Sequence, residues 1–344
     1  MSLWTDLIDP ATLTGYARKS LEDYEAAKGT LARYLPNRTV EDTVVRFNVT
    51  QNGLVETAKF RAFDAEPEIG KGEGGKRVTI ELPAIGQNIP ITELDQLRNR
   101  NASDDLKVRE ILKTTRRVVR AVADAMEYQR GVALLTGIGT IAQDNFTAVD
   151  NFGRSGSHTV SAGTAWSDVT VDRLADLQAW VDTYEATNGE LPGSIVMTKP
   201  VFRAFAKGNQ FQTQLVNGGA RRPTDAEVRA FVEGQDLPPI EIYTRKVNLS
   251  GTGTTSVLGA DKLLLLPAPV DPDDAEGTDL GGTFWGRTLT SDDPDWDIED
   301  TEGAGIVAGV WKNDKPPMIS QVISDAIGLP VLANANLSFC ADVL

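Results

Sequence analysis

"EIGKGEGGKRVTIELP", Glu68–Pro83, admits two readings that lead to different folds. Gly70, Gly72 and Gly75 spell G-x-G-x-x-G, while Gly70, Gly75 and Lys76 supply all but the last letter of G-x-x-x-x-G-K-[ST]. Either fingerprint binds phosphate when a strand enters the glycines and a helix leaves them, so that helical N–H groups and the helix dipole face the anion. After Lys76 the chain instead runs "RVTIELP", an alternating β-type stretch that stops at Pro83, and Arg77 stands where the magnesium-binding hydroxyl belongs. No acid follows a second strand about 20 residues on, as a ribose partner would. The stretch therefore reads as the tip of a projecting hairpin, where glycine supplies the positive φ of a tight turn. A nucleotide-binding enzyme using Gly70–Lys76 is the alternative that this reading displaces.

Outward from the tip, three runs carry a period of two: "VVRFNVT", "LVETAKFRAF" and "KRVTIELPAIGQNIPI". Segments 54–63 and 77–85 are expected to form a long two-stranded ribbon with Gly70–Gly75 at its end. Such a ribbon cannot bury a core by itself and should lie on something else. Downstream, "NASDDLKVREILKTTRRVVRAVADAMEYQRGVALLTG" predicts a helix over about 101–135. Asn101 or Ser103 caps it, Asp104 and Asp105 complement its dipole, and Gly137 ends it. Val108, Leu112, Val119, Val122 and Met126 keep helical spacing along it, which makes it a spine. Residues 1–45 read as short helical pieces, an arm with little core of its own. Beyond the spine, helices are predicted over 171–187, from Pro200 and from Thr224, alternating with strands "SIVMT", "IEIYTR" and "KLLLLPA". Residues 190–270 thus form a compact α/β or α+β unit. The end, 301–344, reads as short strands completing a sheet laid down earlier.

The 344 residues are 41% hydrophobic and 24% charged, enough for one large core or two ordinary ones. With 49 acids against 34 bases the net charge is −15, which argues against a surface that grips nucleic acid all over. Residues 271–300 hold eleven acids and one base, Arg287, and read as an exposed acidic loop. Cys340 is the single cysteine, "MSLWTDLIDPATL" has no signal-peptide pattern, and no apolar run reaches the roughly 18 residues of a membrane span. A cytoplasmic protein without a membrane partner is expected.

Catalytic and metal patterns fail on their spacing. Asp293, Asp295 and Asp297 match the start of a calcium loop, but Ile298 and Ala304 occupy the positions that need glycine and glutamate. His158 lies beside Ser155 and Ser157 in "GRSGSHTVSAG", which lacks the final glycine of a nucleophile elbow. One histidine and one cysteine cannot make the usual zinc ligand sets. Lys107, Lys113, Arg116, Arg117 and Arg120 give the spine a basic face that suits salt bridges better than nucleic acid. No catalytic residue, cofactor or metal site is expected, and the chain does not read as an enzyme.

Four segments, in this order, carry a family resemblance: "LTGYARKSLEDYEAAKGTLARYLPNRTVEDTVVRF", "GIGTIAQDNFTAVDNFGRSGSHTVSAGTAWSDVTVDRLADLQAW", "PGSIVMTKPVFRAF" and "PPMISQVISDAIGLPVLANANLSF". The chain resembles the tailed-bacteriophage major capsid proteins similar to the lambda major capsid protein E. The resemblance implies an α+β, Hong Kong 97-type fold: an N-terminal arm at 1–45, an extended E-loop at 46–91 and a peripheral domain at 92–189 built on the spine. An axial domain at 190–300 and a return to the peripheral domain at 301–344 complete it. It implies a virion capsid protein, assembled in the host bacterial cytoplasm, that forms hexamers and pentamers of an icosahedral shell around double-stranded DNA bound without sequence specificity. Implied partners are a separate scaffolding protein, a portal and a decoration or cement protein. Gly70, Lys71, Gly72, Gly74, Gly75, Lys76 and Arg77 become candidates for contact between subunits. An encapsulin-like nanocompartment shell is the alternative within the same fold.

Overall fold

The computed structural model describes residues 2–3, 6–49, 76–99, 101–143, 146–214, 220–273, 278–299 and 303–344. Its axis is the spine helix, Asp104–Thr136, about 50 Å long at 1.5 Å per residue. Ser103 stands at its N-cap without a side-chain hydrogen bond to the helix, and Asp104 and Asp105 lie in its first turn. It ends at Gly137, whose φ of 68° is left-handed and whose N–H donates to the Ala133 carbonyl at 2.8 Å. Arg154 covers two of the last carbonyls, donating to Leu134 O at 2.7 Å and Leu135 O at 2.5 Å. The spine therefore begins and stops where its end signals stand.

Val118, Val119, Val122 and Met126 turn one face of the spine onto a six-stranded sheet, meeting Trp285, Val310, Val322 and Ala326. That sheet is organised by its longest strand, Ser320–Leu332. Val307–Lys312 pairs with it antiparallel with Val310 opposite Val322, and Ala84–Ile91 pairs with Ile89 opposite the same residue. Gly281–Gly286 takes over along 327–332, with Phe284 opposite Leu329, and Asn37–Thr39 adds a parallel strand beyond it. Ser2–Leu3 pairs with Trp311 and Lys312.

A second, five-stranded sheet runs in the order Ile240–Ile242, Ser194–Met197, Lys262–Leu266, Phe339–Asp342, Thr159–Ser161. Its centre, Leu263–Leu266, is wholly buried, as expected of a strand covered on both faces. Helices Arg173–Asn188, Lys199–Ala206 and Asp225–Glu233 accompany it, the last started by a complete capping box between Thr224 and Glu227. The C-terminal segment closes both sheets, since 307–332 belongs to the first and 339–342 to the second.

Three expectations change. The arm is one 19-residue helix, Pro10–Lys28, rather than short pieces. It buries Leu13 and Ala17 against the spine and the 307–312 strand, and Leu31, Ala32 and Leu35 follow it into the core. The acidic run 271–300 is not one loop, because its apolar middle, Gly281–Gly286, is a core strand. The acids are confined to its flanks. Gly281 is required there: at φ 147°, a Cβ would lie 2.1 Å from the Val331 carbonyl oxygen. Finally, the β-run after Lys76 is two strands. Lys76–Glu81 pairs with Val44–Val49, and after Leu82–Pro83 the chain joins the large sheet as Ala84–Ile91. The expected partner segment 54–63 lies outside the described residues.

Candidate functional site

Of the candidate contact residues, Gly70, Lys71, Gly72, Gly74 and Gly75 lie outside the described residues, and Lys76 and Arg77 open the strand Lys76–Glu81. Val49 stands opposite Lys76 and Asn48 opposite Arg77, so the chain enters and leaves 50–75 side by side. The base of this ribbon is anchored. Val45, Ile80 and Leu82 are buried in the main core, Leu82 N–H donates to Thr43 O at 2.8 Å, and Gly328 N–H donates to Pro83 O at 3.1 Å. Whatever pulls on the ribbon pulls on the large sheet.

A buried charge cluster joins four parts of the chain. Asp124, Glu127 and Arg130 follow one another at a spacing of three on the spine and share a face. Arg130 is fully buried. Its Nη1 meets Glu25 of the arm helix at 2.7 Å and Glu127 at 3.0 Å, Nε donates to Thr283 at 2.9 Å, and Nη2 donates to Asn37 at 2.7 Å. Glu127, also fully buried, accepts from Thr30 Oγ1 at 2.9 Å, from Leu31 N–H at 2.7 Å and from the Tyr243 hydroxyl. Arg245 donates to Asp124 at 3.0 Å and to the Gly29 carbonyl at 3.1 Å, and lies 5.2 Å from the centre of the Tyr24 ring. Arm, spine, large sheet and the 190–270 unit are thus tied through one set of ions.

Burial and neighbouring charge act against each other in this cluster. Burial presses the Arg130 pKa down, but the Glu25 and Glu127 carboxylates outweigh it and hold it above the ordinary guanidinium value. Burial and then Glu127 push the Tyr243 phenol well above its usual range, so it remains a donor. Such a cluster orders a structure by tying together segments distant in sequence. His158 is buried, its ring 6.0 Å from that of Tyr184 and 5.4 Å from that of Phe339, while Ser155 and Ser157 hydroxyls bond each other at 2.9 Å. Among the described residues no group of three or more His, Cys, Asp or Glu could hold a metal ion, and no helix is long and apolar enough to cross a membrane.

The basic spine face is answered by the arm helix and by the spine itself. Arg116 and Arg120 lie 5.5 and 5.3 Å from the ring centres of Tyr16 and Tyr24, and Lys107 and Lys113 pair with Asp104 and Glu110. The cluster around Arg130 has no counterpart in the sequence reading. Its signal was available in part: Arg130 borders the stripe set by Val122, Met126 and Ala133, and an ion beside an apolar stripe must find partners.

A model of the family "Phage major capsid protein E" matches residues 11–321. Among solved structures, a prophage protein of E. coli CFT073 assigned as its capsid protein is similar at 16% identity and a TM-score of 0.63, over 98% of this chain and 99% of that one. A phage-related protein from Bordetella bronchiseptica RB50 is similar at 15% identity and a TM-score of 0.59, over 96% of each chain. No curated relative matches by sequence. The fold is the α+β, Hong Kong 97-type architecture.

Proposed function

We propose, since the chain belongs to the phage major capsid protein E family and is a structural protein of a bacteriophage shell, that it assembles as hexamers and pentamers into an icosahedral capsid around double-stranded DNA. Its place is the virion capsid, and its work is assembly without catalytic turnover. The observation that carries the reading is the family match across 11–321, and the anchored ribbon supports it. A ribbon whose root is fixed in the core, with 26 residues between Val49 and Lys76, can lay an open edge or tip over a neighbouring subunit. Head-to-tail contacts of that kind close into rings when the rotation permits.

In this reading 1–45 is the arm, 46–91 the E-loop and 92–189 the peripheral domain. The axial domain starts at 190 and ends before Gly281–Gly286, which pairs in the large sheet. Gly70, Lys71, Gly72, Gly74, Gly75, Lys76 and Arg77 then contact the next subunit, Lys76 and Arg77 through its carboxylates. Assembly takes place in the host cytoplasm, with scaffolding, portal and decoration proteins supplied by other chains. The net charge of −15 keeps packaged DNA from adhering to the wall.

Negative-stain electron microscopy of the purified protein tests the shell reading: large uniform shells are expected, and small soluble oligomers under all assembly conditions would overturn it. Deleting 66–77 tests the loop. The shortened chain should keep its circular dichroism and lose closed shells, and normal shells would remove the loop from assembly.

A further inference from the structure

The face of the spine that turns away from the large sheet is basic. Between Arg109 and Arg120 its exposed residues are Arg109, Glu110, Lys113, Arg116, Arg117 and Arg120, five bases to one acid. The bases recur at steps of four, three, one and three, so they share one helical face over about 16 Å at 1.5 Å per residue. The salt bridges expected of this face form only in part. Lys113 pairs with Glu110 at 3.4 Å, whereas Arg109, Arg116, Arg117 and Arg120 make no ion pair among the described residues. Tyr16 and Tyr24 of the arm helix hold Arg116 and Arg120 by ring contact, and Arg116 Nε also donates to the Tyr16 hydroxyl. A ring positions a guanidinium without cancelling its charge. Four uncancelled arginines therefore stand in a row on a chain whose net charge is −15.

We propose that this row is a contact for the phosphate backbone of double-stranded DNA. The inference rests on the shell reading, in which the wall encloses DNA, and it gives that wall a place to touch its contents. Two observations select the occupant. From residue 109 to residue 120 no large apolar side chain is exposed, so a protein segment laid here would find no apolar anchor, whereas phosphate is held by charge and hydrogen bonds alone. Four of the five bases are arginines, whose fork of N–H donors matches the paired oxygens of a phosphate. The acids elsewhere on the chain set the strength of the contact. A surface at −15 repels the polyanion, so the row makes a weak, salt-labile contact without sequence preference and leaves packaged DNA free to move.

Fluorescence anisotropy of the full-length, unassembled subunit with a labelled duplex of mixed sequence tests this between about 50 and 200 mM salt. With four arginines engaged, log K should fall against log salt with a slope of about −4. Arg109→Gln combined with Arg117→Gln should flatten that slope by about 2 and weaken binding about tenfold or more at the low-salt end. Lys199→Gln combined with Arg203→Gln removes the same charge from exposed positions of the Lys199–Ala206 helix and should leave the slope unchanged. Equal losses from the two pairs, or no binding by the wild type, would overturn the proposal. So would polyglutamate competing as well as the duplex, since the row would then take an acidic segment. All four changed side chains are exposed, so both double variants should match the wild type in circular dichroism, and Arg109→Gln with Arg117→Gln should still give shells at wild-type yield. Loss of shells with duplex binding unchanged would overturn the proposal in favour of a contact between copies. Duplex binding through the row by a chain that makes no shells would leave the row standing and sink the shell reading.

Discussion

Arg130→Met removes the cation from the buried cluster while keeping an unbranched chain of similar length, and its consequence follows from the contacts. Arg130 donates to Glu25, Glu127, Thr30, Thr283 and Asn37, all within 3.1 Å. Without it, Glu25 loses its partner and Glu127 keeps its other donors but faces a second carboxylate in a largely buried site. Removing one partner of a buried pair costs about 3–5 kcal/mol, chiefly through the charge left behind. At about 2.1 cal/mol/K per residue, 344 residues give an unfolding entropy near 0.7 kcal/mol/K, so the melting temperature should fall by about 4–7 °C. Scanning calorimetry of the unassembled subunit measures this. Adding Glu25→Leu deletes the stranded carboxylate, and the double variant should recover about 0.5–3 kcal/mol of the loss. A single variant that melts with the wild type would show that the cluster does not hold arm to spine. Strict additivity of the two changes would show that Glu25 and Arg130 do not act as a pair.

Other outcomes are as specific. Burial, and then the Arg154 guanidinium, holds the His158 imidazole below its ordinary pKa, so between the folded and unfolded values the unfolded chain binds the proton more readily. His158 therefore contributes stability above about pH 6.5 that is lost as the pH falls toward its folded pKa, by at most about 1.4 kcal/mol per pH unit. His158→Leu should flatten the difference in melting temperature between pH 7 and pH 5, and an unchanged difference would refute the assignment. Gly309→Ala should cost about 1–3 kcal/mol, because a Cβ there would stand 2.3 Å from the Trp296 ring; a shifted tryptophan emission would accompany it, and wild-type emission and melting would contradict it.

The spine was legible because every local signal on it agrees: cap, acidic first turn, helical stripe, and a glycine at the one position that needs left-handed backbone. The arm helix was harder to see. Its buried positions are Pro10, Leu13, Thr14, Ala17 and Glu25, of which only Leu13 is a large apolar side chain, so a hydrophobic pattern gives it little weight. Gly281–Gly286 was hidden for a different reason: charge summed over thirty residues hides a six-residue strand between two acidic flanks, although its Phe284 and Trp285 mark it once the flanks are set aside.

Arg130 marks the limit of single-chain reading more sharply. A charged residue on a helix is normally placed in water, and Lys107, Lys113, Arg116, Arg117 and Arg120 are exposed or only half-buried on the spine. Arg130 follows the same pattern of spacing but lies where the helix passes beneath the arm and the sheet, so besides Glu127 one turn away its partners come from residues 25, 30, 37 and 283, all distant in sequence. Period alone cannot separate the two cases. What separates them is whether the neighbouring turns are apolar on the same face: Met126 and Ala133 flank Arg130, whereas Lys113 and Arg120 flank Arg117. The cluster therefore stands where the Pro10–Lys28 helix, the spine, the large sheet and the 190–270 unit meet, and its partners are set by that crossing rather than by local sequence.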